Sequence, residues 1–185
     1  MAKTATLEVV SKNGQLAEKN AKRQKMVEVL TARIDSKNKE LETKKYLIEG
    51  GTLAAQKIQE FLTNDAKWKF SEALGIMEST KQVDEALAQI KAGKTKELLV
   101  PALALEAIYY FLTKVEGTGL GSATNYIDIL KPISDALGRS KKDREEVDQL
   151  VRDRGTLEAA IDNGADVEGE DSILKEIEAE LEPQL

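Results

Sequence analysis

The densest apolar stretch of the chain runs from Leu98 to Val115, where thirteen of the first fifteen residues are apolar. A helix that is apolar on every side must be covered on all faces by protein or by lipid. A membrane span needs about 20 predominantly apolar residues, whereas this run stops at Thr113 and contains Glu106. The pattern therefore predicts a central helix over 98–115 that is buried in a protein core.

Glu106 is the one carboxylate inside this predicted core helix. A buried carboxylate without a partner is too costly, because the charged form loses its hydration. We therefore expect Glu106 to lie at an edge of the helix or to be paired with a hydrogen-bond donor.

A second pattern runs through residues 14–49, where apolar residues recur every seven positions. This spacing predicts a long, basic, amphipathic helix with a narrow hydrophobic seam, preceded by an N-terminal arm over residues 1–13. Cations interrupt the seam at Arg23, Lys37 and Lys44, so it suits a helix that lies along a partner better than a regular coiled coil. The seam residues, which we predict to bind a protein partner, are Leu16, Val27, Leu30, Ile34, Leu41 and Ile48.

The rest of the chain carries further helix signals. Ser79 and Gln82 have the spacing of a capping box, which predicts that a helix begins at Ser79. Gly138 predicts the end of a helical core over residues 50–138, and an acidic helical segment follows over residues 139–185. Together these patterns predict an all-α fold, a bundle of about six to eight helices around the central apolar helix.

The composition supports the all-α class and limits the kinds of reaction and metal site that the side chains can provide. Strong helix formers dominate, and the chain contains no Cys and no His. It therefore has no disulfides, thiolate nucleophiles, zinc–thiolate sites or imidazole bases, and we expect no enzymatic activity, no cofactor and no metal. The first residues have no apolar segment of the kind found in signal peptides. We expect no membrane anchor, and a location in the cytoplasm or within an assembled particle.

Charge is unevenly distributed along the chain. Residues 1–50 carry 11 basic and 7 acidic side chains, whereas residues 139–185 carry 7 basic and 15 acidic ones. Ends of opposite sign attract each other, within one chain or between copies, and we favour this interpretation. The alternative is a nucleic-acid-associated regulator whose N-terminal helix contacts phosphates. Its candidate residues are Lys19, Lys22, Arg23 and Lys25.

Two loops resemble ligand sites without matching their templates. The Gly-rich loop over 117–125 follows a predicted helix, whereas phosphate-binding loops follow a strand. The acidic loop over 162–171 lacks the Gly and Glu positions of an EF-hand. We interpret the first as a helix connection and the second as a solvated linker. Trp68, flanked by Lys67 and Lys69, is interpreted as a partly buried anchor whose neighbours point to water.

Function is predicted from this architecture, because no motif of known chemistry is present. We expect a non-enzymatic interaction or assembly protein that self-associates or joins a larger assembly. One form of this expectation is an oligomeric structural component of a particle such as a phage virion. The alternatives are the nucleic-acid-associated regulator and a membrane-acting protein that releases its central apolar helix.

Overall fold

The computed structural model describes residues 2–115, 120–164 and 168–181. Within this part of the chain the fold is mostly helical, with six α-helices and one small two-stranded sheet, which confirms the main feature of the predicted all-α class. In chain order the elements are α1 (Ala2–Thr43), β1 (Lys45–Ile48), α2 (Gly51–Glu60), a π-helical turn (Phe61–Asp65), a 3₁₀ turn (Phe70–Glu72), α3 (Ala73–Lys91), β2 (Leu98–Pro101), α4 (Ala102–Leu112), α5 (Leu120–Asn163) and α6 (Glu170–Leu181).

The chain divides into two compact units, of which the central unit comprises residues 41–144. In this unit α2, α3, α4 and the sheet surround one hydrophobic core, to which α5 contributes its part before residue 138. Burying one Leu or Ile side chain stabilises a fold by about 1.5 to 3 kcal/mol, so this core accounts for much of the unit's stability. Its most deeply buried side chains are those of Ile48, Ile58, Val83, Leu98, Leu105, Ile108, Leu112 and Ile133.

The sheet takes the place of the first turn of the predicted central helix. β2 runs antiparallel to β1, with Ile48 opposite Leu98. A proline disfavours the helical conformation in the residue before it, and Pro101 itself has an extended backbone where α4 begins. The prediction of a helix over 98–115 is therefore wrong at its start, because the first four of these residues form β2 and the helix begins at Ala102.

The side chains of α4 are covered on one side only. Leu105, Ile108 and Leu112 point into the core and have no exposed surface, whereas Leu103 and Tyr110 are exposed. The composition of this helix predicted that it is enclosed on every side. Its neighbours pack only on its inner side, so its outer side is exposed.

The start of α3 also differs from the prediction. The helix begins at Ala73, so Ser79 lies inside it. The Ser79 hydroxyl donates to the Gly75 carbonyl oxygen at 2.7 Å, and the Gln82 amide donates to the Glu78 carboxylate at 2.8 Å. The residue types of a capping box can also form such bonds within a helix. The predicted helix start at Ser79 is therefore wrong.

The terminal unit is built from both ends of the chain, residues 1–40 and 145–185. α1 packs there against the last part of α5 and against α6. The three helices bury their apolar sides in a small cluster formed by Met26, Val27, Leu30, Leu157, Leu174 and Ile177.

Helix boundaries differ from the predicted ones in two further places. The predicted arm over 1–13 and helix over 14–49 are replaced by α1, which begins at Ala2 and ends before β1. α5 continues through Gly138, since one glycine costs a helix only about 1 kcal/mol and the flanking residues outweigh it. The predicted loop over 117–125 lies partly outside the described residues, and its described part belongs to α5.

Candidate interaction surface

The predicted seam of α1 is divided between buried and open positions. Val27, Leu30 and Ile34 are buried, and the first two belong to the core cluster of the terminal unit. Leu16 is exposed, and Leu41 is partly covered. With Ile48, which is also buried, four of the six predicted contact residues are therefore already covered by the chain itself.

Ile48, the last residue of the predicted seam, does not lie on a helix. It belongs to β1 and is fully buried in the core of the central unit. The heptad spacing continues past the end of α1, but strand pairing with β2 decides the conformation there, since a nonlocal contact overrides a local pattern. The six residues therefore do not form one continuous seam.

Arg23 is fully buried in the terminal unit and bonded to Glu170. Its Nε and Nη2 atoms donate to the two carboxylate oxygens at 2.7 and 2.6 Å. Its Nη1 donates to the Asn20 side-chain oxygen at 2.8 Å and to the Ala160 carbonyl oxygen at 2.9 Å. Bidentate pairs of this kind are among the strongest polar contacts in proteins. The prediction of a solvated linker over 162–171 is thus wrong for Glu170, because a buried guanidinium requires a counter-charge.

The other two cations that interrupt the seam also pair with acidic side chains. Lys37 lies 2.7 Å from Glu146 within the terminal unit, and Lys44 lies 2.9 Å from Asp143 within the central unit. Basic side chains near the start of the chain therefore form ion pairs with acidic side chains near its end. This confirms that the oppositely charged ends attract each other within one chain, as we favoured.

The four residues predicted to bind nucleic acid have different environments. Arg23 is bonded to Glu170, and Lys19 lies 3.5 Å from the same carboxylate. Lys22 and Lys25 are exposed. A phosphate contact by Arg23 would require α6 to leave α1, so nucleic-acid binding stays a prediction that depends on the lysines.

A groove of about 420 Å³ lies between α3 and α4 in the central unit. Its smallest lining residues are Gly75, Ala104 and Ala107, which leave open space beside the two helices. A Cβ atom added at Gly75 would meet only the Phe111 ring, at 4.0 Å. The other lining residues that bear on its chemistry are Glu78, Ser79, Gln82, Leu103, Glu106 and Tyr110.

Glu106 lies at the edge of this groove and is paired. The Arg144 Nη1 atom is 2.8 Å from its Oε1 atom, and both side chains are about half exposed. This confirms the prediction that Glu106 occupies an edge or has a partner. Its charge is therefore kept in contact with water, where it costs little.

The remaining polar groups that line the groove bond to neighbouring groups of the unit. The Ser79 hydroxyl and the Gln82 amide donate within α3, and the Tyr110 hydroxyl donates to Glu72 at 2.6 Å. With these groups engaged, the groove offers mainly apolar surface.

Large apolar side chains are exposed both in the lining of the groove, at Leu103 and Tyr110, and in the segment that leads to Gly75, at Trp68, Phe70 and Leu74. Phe70 is 92% exposed, Leu74 is 83% exposed and Leu103 is 74% exposed. Tyr110 and Trp68 are each about half exposed. We call these five residues and the groove the α3–α4 face. Exposed apolar patches of this size are uncommon on monomers and mark contact surfaces.

Glu72 fixes the turn that carries Phe70. Its carboxylate accepts bonds from the Lys114 ammonium, from the Tyr110 hydroxyl and from the Lys69 backbone N–H. These bonds, that of Lys114 foremost, lower the pKa of Glu72 to about 2. The Lys114 Nζ atom also lies 4.1 Å from the centre of the Tyr110 ring, within the range of a cation–π contact.

Phe70 and Leu74 were not predicted to be surface residues. A signal for Leu74 exists in the spacing of α3, where the buried Ile76, Val83 and Leu87 define the core side. Leu74 falls off that side at 100° per residue, so an apolar residue there lacks a partner in its own unit.

Among the described residues, no group of three or more acidic, His or Cys side chains has the arrangement of a metal site, and no helix is long and apolar enough to cross a membrane. Comparison of the chain with protein-family models, with curated proteins and with solved structures gives no match.

Proposed function

We propose that the protein is a non-enzymatic assembly protein that associates with other copies of itself through the α3–α4 face. The observation that carries this proposal is the apolar groove, lined by the exposed Leu103, together with the exposed Phe70 and Leu74 in the segment that leads to Gly75. Removing one such side chain from water contributes about 1.5 to 3 kcal/mol. A contact that covers all three therefore offsets much of the free energy that association costs.

The chemistry of the groove supports a contact surface. Ser79, Gln82 and Tyr110 all donate to groups of their own unit. A partner that enters the groove therefore displaces water from apolar atoms and leaves these hydrogen bonds in place. The interface would then have an apolar centre with a charged rim at Glu78 and Glu106, which is the usual arrangement of protein–protein contacts.

The α3–α4 face takes the role that the sequence predicted for the seam of α1. Val27, Leu30 and Ile34 contribute to the interior of the terminal unit, so Ile34→Asp would bury a carboxylate instead of interrupting a contact between chains. Leu16 and Leu41 remain predicted contact residues at the ends of the seam. Incorporation into a larger particle, such as a virion, remains part of the proposal.

Light scattering after size-exclusion chromatography, over a wide range of concentration, tests the proposal. We expect the wild-type chain to self-associate and Leu103→Lys to shift it to a monomer, because the substitution places an ammonium at the centre of the contact. Leu53→Lys is the matched control, since Leu53 is 62% exposed on α2 and does not line the groove. A wild-type chain that stays monomeric at the highest concentration, or a Leu103→Lys variant that associates like wild type, would refute the proposal.

A further inference from the structure

We infer that the groove of the α3–α4 face is filled by a second copy of this chain, with Phe70 of each copy inserted between α3 and α4 of the other. This inference rests on the proposed function and specifies the contact between the copies. It requires a projecting side chain, a cavity that accepts it, and charges that match when the face meets itself.

The projecting side chain is held in position before any contact forms. Phe70 opens a 3₁₀ turn whose last residue, Glu72, is bonded to Lys114, Tyr110 and the Lys69 backbone. Because the turn is fixed at both ends, little conformational freedom remains to be lost on binding. Phe70 is 92% exposed, so its ring does not occupy the groove of its own chain.

The groove has the size and lining that an aromatic ring requires. Its 420 Å³ lies in the range of about 300 to 1,000 Å³ typical of pockets that hold small ligands. Gly75, Ala104 and Ala107 line it with small side chains or none. A ring from outside can therefore approach both helices closely.

A face that carries both the projection and the cavity is complementary to itself. In a twofold dimer the same patch meets its copy, so each Phe70 finds the groove of the other chain. Large side chains bury about 150 to 250 Å² each, so the exposed parts of the five residues of the face amount to roughly 600 Å² per copy. The two copies together would bury about 1,200 Å², which is the lower limit of a standard interface.

The charges around the face also match in this arrangement. Lys69 precedes Phe70, whereas Glu78 and Glu106 line the groove. Glu106 already pairs with Arg144, so Glu78 is the carboxylate that Lys69 meets when Phe70 of one copy enters the groove of the other. Opposite charges at the rim fix the orientation of the two copies.

Cysteine cross-linking tests the contact directly, because the chain contains no Cys of its own. Phe70→Cys and Ala107→Cys are made in separate chains with tags of different mass, mixed, and oxidised. We expect the mixed disulfide to form faster than either homodimer. Leu53→Cys mixed with Ala107→Cys is the control, and a Phe70→Cys mixture that cross-links no faster than this control would overturn the inference.

Complementation in light scattering provides the second measurement. Phe70→Ser removes the projection and Ala107→Trp fills the cavity, so either change alone should weaken self-association by roughly tenfold or more, as for a central aromatic contact. An equimolar mixture retains one complete Phe70-to-groove contact, and we expect it to form a heterodimer of intermediate affinity. Circular dichroism checks that each variant is folded, and the cross-linking arm does not depend on Ala107→Trp.

The outcomes separate this inference from the proposed function. A wild-type chain that remains monomeric contradicts both. A wild-type oligomer that is sensitive to Leu103→Lys but unaffected by Phe70→Ser contradicts only the insertion of Phe70, and leaves the α3–α4 face as the contact surface.

Discussion

The buried pair of Arg23 and Glu170 gives the sharpest prediction for stability. Glu170→Gln keeps the shape of the side chain and removes its charge. The guanidinium, which has no exposed surface, then loses the negative charge that Glu170 supplies, and it cannot lose its proton to compensate. Removal of one partner from a buried pair costs about 3 to 5 kcal/mol.

The structure places the expected value near the lower end of that range. Asn20 and the Ala160 carbonyl continue to accept bonds from the guanidinium, and the new amide oxygen can accept one more. We therefore expect Glu170→Gln to lower the free energy of unfolding by about 3 kcal/mol. Part of this cost comes from the lost carboxylate at the first residue of α6, where a negative charge stabilises a helix by about 0.3 to 1 kcal/mol.

Two further variants isolate the electrostatic cause. Glu146→Gln removes the partner of Lys37 in an exposed pair, where the expected cost is only about 0 to 1 kcal/mol. The double variant Arg23→Met with Glu170→Leu removes both charges and keeps the volume, so it should be clearly more stable than Glu170→Gln alone.

Urea-induced unfolding followed by circular dichroism measures these differences. Hydrogen exchange of the peptide over 170–177 locates them, because α6 should exchange faster in Glu170→Gln than in wild type. The reasoning would be wrong if Glu170→Gln were as stable as Glu146→Gln, or if the double variant were less stable than the single one.

The remaining predictions concern single positions in the central unit. The pKa of Glu72 lies at about 2 against an ordinary value of 4.5. The stability that the ionised carboxylate contributes to the fold is therefore complete above pH 4.5 and is lost as the pH falls toward 2. Glu72→Gln should lower the melting temperature at pH 7, and the difference from wild type should vanish near pH 2. Ser79→Ala should leave stability nearly unchanged instead of costing the about 1 kcal/mol of a lost N-cap, because Ser79 lies inside α3. Gly138→Ala should raise the free energy of unfolding by about 0.5 to 1 kcal/mol, since the residue is helical and open space surrounds its Cβ position. Gly50→Ala should lower the free energy of unfolding by more than about 1 kcal/mol, since Gly50 has φ +103° and a Cβ atom there would lie 3.0 Å from the Cβ atom of Ala54. Thermal unfolding compares all these variants.

Local patterns were sufficient to predict the helical class and several details. The helical spacing of Val83, Ala86 and Leu87 agrees with their burial on one side of α3. The position of Glu106 was predicted from the cost of burying a charge, and its pairing with Arg144 follows the same reason. Such properties depend on neighbours within one element, which a sequence displays directly.

Contacts between distant residues could not be predicted in this way. Ile48 and Leu98 lie far apart along the chain, and nothing local indicates that they pair in a sheet. The same holds for Arg23, which interrupts the seam of α1 in the sequence but is matched to Glu170 in space. The groove depends on how α3 and α4 pack. The exposure of an apolar residue such as Leu74 likewise depends on which elements pack over it, and the sequence does not show this.

The terminal unit is divided between the two ends of the chain, and this sets the order in which the two units can fold during synthesis. Residues 41–144 form one continuous unit that can fold once it has been made, whereas residues 1–40 must wait for residues 145–185. At a translation rate of about 5 to 20 residues per second, the apolar side of α1 around Leu30 stays without its partner Ile177 for roughly ten seconds. A nascent chain therefore presents this side to chaperones and to neighbouring nascent chains before its own last helix can cover it.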